Sequence, residues 1–438
     1  MRRYFLPQIR ERIRPYYLRW VYFRLWPEHY PSQWRICWSY PWNEIPPDLS
    51  GLGNCNSKKP NRTDWVFLGM VDWHTRLQRT QQLAIACAKD GDRCFYLNIN
   101  LGRQYPSTPL SARRPAIAKL TENVYELHVP LPTEPVFHER LLTDRETSLL
   151  ANSLQLLLRS MQVKSPIIVS SLPTWNNVSS LLRTTFNGKV VFDCHDLLWD
   201  LPDMSPAIAV EEPKGFRDAD LILFSSDALM QWHVKTHPEI TEKSLLLRNG
   251  VPDWPSEAPQ RTERAVVVFV GAFEVWLDWA LIETAARMFP DVDFVLAGSG
   301  PCPPPIGLRK LKNIRLMGEV PHAELPAILR CCTVGIVPFR QISVAKCADP
   351  IKIYEYFCFG LPVVYTGVSL DPSLKRLAYP ASDPSNWLQQ LGTALTEKSP
   401  ILIEQRIAEA QNSRWSRRIR ALKKRLDIPL HARRAAEP

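Results

Sequence analysis

The sequence lacks the features that would place a chain across a membrane or on a metal framework. No run of about 18 uncharged apolar residues is present, so we expect no transmembrane helix. The ten cysteines are scattered: none forms a Cys-x-x-Cys pair, and only Cys331 and Cys332 are adjacent. That spacing predicts neither a zinc site nor a disulfide framework and is typical of a reducing cytosol. Arginines interrupt the first residues, so we expect no signal peptide and a cytoplasmic location.

A glycine-rich dinucleotide loop is also missing, because no Gly-x-Gly-x-x-Gly appears. Lys and Arg together number 54 against 44 for Asp and Glu, which gives a formal net charge of +10. This balance favours anionic partners, whether nucleotide sugars, anionic lipid or nucleic acid, and does not choose among them. With 438 residues, the chain exceeds what one hydrophobic core usually serves, so we expect two domains.

Residues 1–62 form a segment of their own, dense in Arg, Trp, Tyr and Pro. Three interpretations stay open. Interleaved aromatic and cationic side chains suit an anionic membrane surface, where aromatic rings lie at headgroup depth. The same composition could stack on single-stranded nucleic acid, which is the least favoured partner. The segment could also be an arm packed on the body of the protein, because Pro7 and Pro15 break it into short pieces.

Residues 63–250 alternate between apolar runs and helical patterns, which is typical of a parallel sheet with crossover helices. The predicted strands of this first α/β domain are 65–70, 93–99, 124–129, 166–171, 190–193 and 221–226. The loop after the first strand carries Asp72, Trp73, His74 and Arg76, at the edge where open α/β sheets bind ligands. Residues 251–264 are rich in Pro and charge and are the predicted linker.

Residues 265–400 repeat the alternation and predict a second α/β domain. Its predicted strands are 265–273, 293–301, 313–320, 334–340 and 362–365. The remaining residues, 401–438, form a basic segment in which 401–426 is predicted to be one helix. Its run RWSRRIRALKKR is either a solvated charged face or a contact with anionic lipid.

The stretch DPIKIYEYFCFGLPVVYTG carries the clearest chemical signal. Asp349 and Pro350 read as the start of a helix over 351–359, which places Lys352 and Glu355 on one face. A helix N-terminus beside Lys352 suits a pyrophosphate, and Glu355 could accept hydrogen bonds from a ribose diol. The alternative is an ordinary capped helix with a solvated ion pair. An Asp349 cap would also repel a phosphate at that end.

A second signal lies in VVFDCHDLLWD, where an apolar strand ends at Asp193. His195, Asp196 and Asp200 follow on a loop at the ligand edge of the sheet. A carboxylate or histidine held there could take the proton of an acceptor hydroxyl. The alternative is structural: Asp196 could cap the next helix, and His195 could be a satisfied polar residue.

The whole pattern resembles the GT-B glycosyltransferases over roughly residues 65–426. The resemblance rests on the Pro-x-Lys-x-x-Glu helix, the Gly-x-Pro-Val-Val strand after it, and the Asp-x-x-Asp loop. It implies two Rossmann-like doubly wound domains that face a cleft. One departure matters: many retaining members carry an acidic residue eight positions before the glutamate, where this chain has Cys347. Teichuronic-acid and glucuronosyl-type transferases are therefore the more similar members.

The resemblance also implies roles for individual residues. Glu355 would hold the ribose and Lys352 the phosphates of the donor. The remaining donor contacts implied by position are Gly271, Arg248, Asn249 and Gly318. Asp196 would be the catalytic base, with His195 as the second choice.

The implied reaction moves a sugar from a UDP- or GDP-sugar to a glycan or lipid-linked acceptor in cell-surface polysaccharide synthesis. No metal or other cofactor is expected, because Lys352 and the helix end supply the positive charge. A peripheral position on the inner face of the membrane would suit the basic segments. Two alternatives remain: a catalytically inactive partner that binds a nucleotide sugar or glycan, and an epimerase or hydrolase of the same fold.

Overall fold

The computed structural model describes residues 48–51, 62–74, 76–99, 115–129, 131, 137–201, 204–260 and 263–428. The predictions for residues 1–47, 52–61 and 429–438 lie outside these residues. Two α/β units make up the described chain, each built on its own sheet. The predicted fold class is therefore confirmed.

The N-terminal domain is built on a sheet of nine strands in the described residues, ordered β1-β4-β5-β3-β2-β6-β7-β8-β9. The strands are β1 Asp48–Gly51, β2 Asp64–Leu68, β3 Arg93–Leu97, β4 Ala116–Thr121, β5 Val124–His128, β6 Ile167–Ser170, β7 Lys189–Cys194, β8 Leu221–Phe224 and β9 Ser244–Leu246. Its helices are α1 Arg79–Lys89, α2 Asp144–Ser160, α3 Asn176–Phe186, α4 Pro206–Val210, α5 Glu212–Asp218 and α6 Asp227–Thr236. Apolar clusters cover both faces of this sheet, as a parallel sheet requires.

The C-terminal domain has six parallel strands in the order β12-β11-β10-β13-β14-β15. They are β10 Val266–Val270, β11 Asp293–Ala297, β12 Ile314–Gly318, β13 Val334–Pro338, β14 Val363–Thr366 and β15 Tyr379–Pro380. The helices are α7 Trp279–Met288, α8 Ile306–Arg309, α9 Leu325–Arg330, α10 Ser343–Cys347, α11 Ile351–Cys358, α12 Pro372–Lys375, α13 Pro384–Thr396, α14 Pro400–Asn412 and α15 Trp415–Arg425. Among the described residues, no helix has the length and apolar character needed to cross a bilayer.

Two strands depart from the predicted series. Strand β4 was not predicted; it pairs antiparallel with β5 and forms a hairpin through the turn at Glu122 and Asn123. Asn123 adopts a φ of 64°, a conformation that asparagine tolerates better than most residues. Strand β1 falls within the segment assigned to the N-terminal extension and pairs with β4 at the edge of the sheet. Weak apolar alternation in both strands gave no sequence signal.

The prediction of one helix over 401–426 is wrong. The chain breaks at Ser413 and Arg414, between α14 and α15, because its backbone pairs there with the linker. The N–H of Val251 donates to the carbonyl of Ser413, and the N–H of Trp415 donates to the carbonyl of Val251, each at 3.1 Å. A side chain at Gly250 would meet the Ser413 carbonyl at 2.3 Å, so only glycine allows this approach.

Helix α15 crosses back from the C-terminal domain to the N-terminal domain. Trp415, Ile419 and Leu422 are buried in the apolar cluster that also contains Trp65. Lys423 is buried beside them and pairs with Asp90 and with Asp92, the latter at 2.7 Å. The helix therefore docks by both apolar packing and buried charge.

Candidate active site

Glu355 lies on α11, on the face that the sequence predicts, and is 4% exposed. Its Oε1 is 2.8 Å from Nε2 of His322, which follows β12 by four residues. The indole of Trp254 packs over His322 with the ring centroids 4.7 Å apart. A carboxylate oxygen is thus held by a histidine, and an aromatic ring closes the far side.

Lys352 lies one turn earlier on α11, over two aromatic rings. Its Nζ is 5.3 Å from the ring centroid of Phe269 and 4.9 Å from that of Phe339, within the range of cation–π attraction. Burial lowers the pKa of Lys352 to about 8, partly opposed by the attraction of Glu355 and reinforced by repulsion from Arg76. An anion placed beside this ammonium would restore its preference for the charged form.

Gly271 makes room for Lys352 at the end of β10. Its φ is +140°, and a Cβ at this position would lie 3.0 Å from Cε and 3.1 Å from Nζ of Lys352. The next loop presses on it from the other side, since a Cβ at Gly298 would meet the Gly271 carbonyl at 1.8 Å. Gly318, at the end of β12, also has a positive φ, but nothing lies within 4 Å of a Cβ placed there. The ends of β10, β11 and β12 therefore come together beside Lys352 at glycines, which carry no side chain.

Asp349 does not cap α11, contrary to the prediction. Its carboxylate accepts hydrogen bonds from the backbone N–H of Asn249 at 2.6 Å and from the Tyr354 hydroxyl at 2.8 Å. Burial raises the pKa of Asp349, and these hydrogen bonds oppose that shift. The residue that precedes the helix in cap position is Pro350, whose side chain offers no acceptor. The Asp349 carboxylate therefore binds Asn249 at the junction of the two domains and does not cap α11.

Asn249 and Arg248 lie at that same junction. The Asn249 amide donates to the Asp349 carbonyl at 2.5 Å and accepts from Arg79 at 2.9 Å. Arg248 forms ion pairs with Asp371, at 2.6 Å, and with Asp227. Both predicted donor contacts are thus engaged in protein contacts between the two domains.

His195 and Asp196 lie together after β7, with His195 Nε2 3.7 Å from Asp196 Oδ2. The Nδ1 of His195 is 2.9 Å from the backbone carbonyl of Asp193, which can only accept, so Nδ1 carries the proton. The Asp196 side chain has a relative solvent exposure of 35%. Burial raises the pKa of Asp196, partly opposed by His195. A carboxylate with a histidine partner is thus available at this edge.

Arg79 anchors the loop that carries His195 and Asp196. Its guanidinium donates to both carboxylate oxygens of the buried Asp193, at 2.9 and 3.1 Å, and to Asn249. One buried arginine thereby joins the loop of His195 and Asp196 to the residue that holds Asp349. The sequence showed Arg79 only as part of a helix, because its partners lie 114 and 170 residues away.

The loop after β2 reaches across the cleft. Arg76 donates to the Ser299 carbonyl at 3.1 Å and to Glu319 at 2.8 Å, both in the C-terminal domain. Nearby His74 lies 3.1 Å from the buried Glu126, and this hydrogen bond raises the pKa of His74. The sequence indicated a ligand-facing loop here, and position alone could not indicate that Arg76 contacts the opposite domain. His322 was likewise missed, because a lone histidine after a strand has no spacing signal.

A protein-family model matches the C-terminal domain, and curated relatives match part of the chain. The family model described as "Glycosyl transferases group 1" matches residues 264–397. The Bacillus subtilis protein TuaH, named as a teichuronic acid biosynthesis glycosyltransferase, is 27% identical over 238 residues, which are 49% of this chain and 55% of TuaH. A UDP-glucuronate:glycolipid 2-beta-glucuronosyltransferase of Xanthomonas campestris is 28% identical over 113 residues, 25% of this chain and 28% of that protein. The chain thus spans about half or less of these curated relatives.

Solved structures show the likeness of the whole fold. Sucrose-phosphate synthase from Thermosynechococcus elongatus superposes with a TM-score of 0.61 at 14% identity and covers 84% of this chain and 99% of that chain. Anabaena HepE, in complex with UDP and glucose, gives 0.55 at 12% identity and covers 84% and 100%. Together, these two-domain likenesses show that the chain has the GT-B fold, and its C-terminal domain matches the group 1 glycosyl transferase family model.

Proposed function

We propose that the chain transfers a glycosyl group from a nucleoside diphosphate sugar to a hydroxyl of a glycan or lipid-linked acceptor. The observation that carries this proposal is the pairing of Lys352 and Glu355 on α11, beside the bare backbone of Gly271. The ammonium and the helix N-terminus suit a diphosphate, and the buried carboxylate suits a ribose diol. UDP and GDP sugars are the donor classes. The UDP of the HepE complex and the UDP-glucuronate in the name of the Xanthomonas relative favour UDP.

Two residues of the N-terminal domain complete the scheme. Asp196 takes the proton of the acceptor hydroxyl while the bond between the sugar and the diphosphate breaks, and His195 supports its charge. Lys352 stabilises the negative charge that develops on the departing diphosphate. Closure of the domains brings the acceptor side to the donor side. The proposal uses no metal in the cleft, because Lys352 and the helix end supply the positive charge.

Cys347 favours an inverting course. Its side chain is 6% exposed and packs in the apolar cluster of the N-terminal domain, and its carbonyl accepts a hydrogen bond from the Ser226 hydroxyl at 2.6 Å. The position where many retaining relatives carry an acidic residue is therefore part of the domain contact here. A base from the N-terminal domain is then the group that activates the acceptor.

The biological setting belongs to the same proposal. TuaH is named for teichuronic acid biosynthesis, and the Xanthomonas relative for a glycolipid acceptor. We infer a cytoplasmic enzyme of cell-surface polysaccharide synthesis that acts peripherally at an anionic membrane surface. The net charge of +10 and the exposed arginines of α15 support that surface as a partner.

Thermal unfolding of the purified chain with UDP, GDP, ADP and their sugars tests the donor site. A ligand that binds only the folded state raises the midpoint by mass action. We expect a shift with one nucleotide class that Glu355→Gln abolishes and that Glu404→Gln, an exposed glutamate on α14, leaves intact. No shift with any nucleotide would contradict the proposal.

A second experiment separates transfer from the two alternatives. With the selected donor and a glycolipid acceptor, Asp196→Asn should lower kcat by about 10²- to 10⁴-fold while nucleotide binding persists. Product analysis distinguishes a glycosylated acceptor from free sugar or an epimerised donor. Tight nucleotide binding without any product would instead support the catalytically inactive partner. The motivation for that alternative is Cys347, which stands where many retaining relatives carry an acidic residue.

A further inference from the structure

A cluster of three chemically reactive side chains is buried inside the N-terminal domain. Cys194 ends β7, Glu212 begins α5 and His233 lies on α6; their exposed fractions are 3%, 1% and 2%. The Cys194 Sγ is 3.8 Å from Oε1 of Glu212, and Nε2 of His233 is 3.8 Å from Oε2 of the same carboxylate. One potential ligand atom from each residue lies within 4.8 Å of the other two. The carboxylate thus stands between a thiol and an imidazole.

This cluster leaves polar atoms unsatisfied. Neither Oε2 of Glu212 nor Nε2 of His233 has a hydrogen-bond partner among the described residues. Phe216 and Phe224 pack against the His233 ring at centroid distances of 5.0 and 5.7 Å. Burial raises the pKa of Glu212 to about 8 and lowers that of His233 to about 4. Buried polar atoms without partners are rare and cost roughly 1–3 kcal/mol each.

We propose that Cys194, Glu212 and His233 bind one divalent transition-metal ion, with Zn²⁺ as the best-matched ion. Thiolate, imidazole and carboxylate are the three ligand types of protein zinc sites, whereas Mg²⁺ and Ca²⁺ prefer oxygen ligands alone. Bond lengths of 2.0–2.3 Å place the ligand atoms of a tetrahedral ion about 3.3–3.8 Å apart. Sulfur and oxygen then lie about 3.5 Å apart, and nitrogen and oxygen about 3.3 Å apart, so both separations of 3.8 Å would shorten by a few tenths of an ångström on binding.

Charge and proton balance also fit a dication. The bound form has one thiolate, one carboxylate and a neutral imidazole, so the ligands cancel the charge of the ion in this apolar environment. Binding to a protonated thiol and a protonated carboxyl releases two protons to solvent. Both oxygens of Glu212 face a neighbouring ligand, so a bidentate carboxylate would give four donor atoms in a distorted tetrahedron, because its two oxygens lie closer together than the other donors.

The ion would be structural rather than catalytic. Cys194 directly precedes His195 and Asp196, so a metal at its thiolate would fix the end of β7 from inside the domain. The linear sequence predicts no such site, because the three ligands are separated by 18 and 21 residues and only the fold brings them together. This proposal does not depend on the glycosyl-transfer proposal, and each can fail while the other stands.

Metal content and metal spectroscopy of the full chain test the site. The chain, made without a histidine tag in zinc-supplemented medium and dialysed against a weak chelator, should retain about one Zn²⁺ per molecule. X-ray absorption at the zinc edge should show one sulfur neighbour near 2.3 Å and nitrogen or oxygen neighbours near 2.0 Å. This measurement needs no variant, so it decides the question even if the substituted chains do not fold. No retained zinc, or zinc with no sulfur or several sulfur neighbours, would overturn the proposal.

Matched variants then assign the ligands. Cys194→Ser and His233→Gln should each lower the retained zinc at least tenfold. Cys94→Ser and His128→Gln remove a thiol and an imidazole that are equally buried in the same domain and should keep about one Zn²⁺ per chain. Retention of zinc by both ligand variants would overturn the assignment.

Discussion

Arg76 and Glu319 form an ion pair across the cleft between the two domains. The guanidinium donates from Nε to Oε1 of Glu319 and from a terminal nitrogen to Oε2, at 2.8 Å in both cases. Repulsion from Arg76 also contributes to the lowered pKa of Lys352, after burial. This contact between the domains therefore lies beside the Gly298 loop and the proposed diphosphate site.

Glu319→Gln should weaken this contact with little effect on overall stability. The two side chains are 30% and 49% exposed, and such pairs contribute about 0–1 kcal/mol. We expect the free energy of unfolding to change by less than about 1 kcal/mol and nucleotide affinity to rise, because Arg76 loses the carboxylate that competes with a diphosphate. Denaturant titration and calorimetry check both, with Glu324→Gln, an exposed glutamate nearby, as the control. Weaker nucleotide binding would contradict the prediction.

Nucleotide affinity should fall as the pH rises through 8. Lys352 is protonated below its pKa of about 8 and neutral above it, whereas the phosphates of UDP stay fully charged over that range. We expect affinity to drop up to about tenfold between pH 7 and 9.5, which corresponds to about 1.4 kcal/mol. Calorimetric titration measures it. Lys352→Met should remove the pH dependence, and Lys375→Met, an exposed lysine on α12, should preserve it.

The lowered pKa of Lys352 should increase the stability of the folded chain as the pH rises, whereas it decreases nucleotide affinity. The folded pKa of Lys352 lies below the unfolded value of 10.5, so the unfolded chain binds more protons between about pH 8 and 10.5. The contribution of Lys352 to the free energy of unfolding therefore rises with pH in this window. Subtracting the denaturant curves of Lys352→Met from those of the wild type isolates this contribution. A difference that is flat from pH 8 to 10 would contradict it.

Gly271→Ala should impair both stability and donor binding. The φ of +140° is a conformation for glycine, and the new methyl group would press on Cε and Nζ of Lys352. We expect a loss of about 1–3 kcal/mol in the free energy of unfolding and a displaced ammonium. Gly318→Ala has a positive φ without any neighbour, so it should cost only about 1 kcal/mol. Equal destabilisation by both variants would show that the Lys352 side chain moves aside without a cost in stability.

Lys423→Met should destabilise the chain by about 3–5 kcal/mol. The substitution keeps the buried aliphatic stem but removes the cation that pairs with Asp90 and with the fully buried Asp92. Asp92 would keep its hydrogen bonds from Trp65 and Thr63 but would lose the buried Lys423 ammonium. Lys424→Met changes an exposed neighbour and should cost less than about 0.5 kcal/mol. Denaturant unfolding compares the two variants.

Sequence patterns predicted the elements of the fold better than their contacts. The helix of Lys352 and Glu355 was expected over 351–359 and is Ile351–Cys358, because a proline at its start and a glycine after its end mark its limits. The buried strands were expected from their apolar runs and lie within three residues of the predicted limits, except that β11 ends at Ala297, four residues before the predicted 301. The hairpin strand β4 was missed because its outer half is polar.

Long-range partners were not predictable. The position of Asp349 before a helix predicts a cap, but its carboxylate accepts a hydrogen bond from Asn249, which is 100 residues away in sequence. The long helix over 401–426 kept its periodicity through Ser413 and Arg414, and only the linker backbone at Val251 explains the break. Arg79 and His322 became candidates only when folding brought their partners near them, whereas the sequence placed Arg76 on a ligand-facing loop without indicating its partner in the other domain.

The return of α15 to the N-terminal domain makes that domain discontinuous in the chain. Trp415, Ile419 and Leu422 complete a core whose other members begin at Trp65, so some 350 residues separate its first and last parts. A ribosome makes those last parts after the whole C-terminal domain, although domains generally fold in order during synthesis. Until then, the part of this cluster that α15 covers remains open, and Asp92 lacks the Lys423 ammonium. The second domain synthesised can therefore complete its own core before the first.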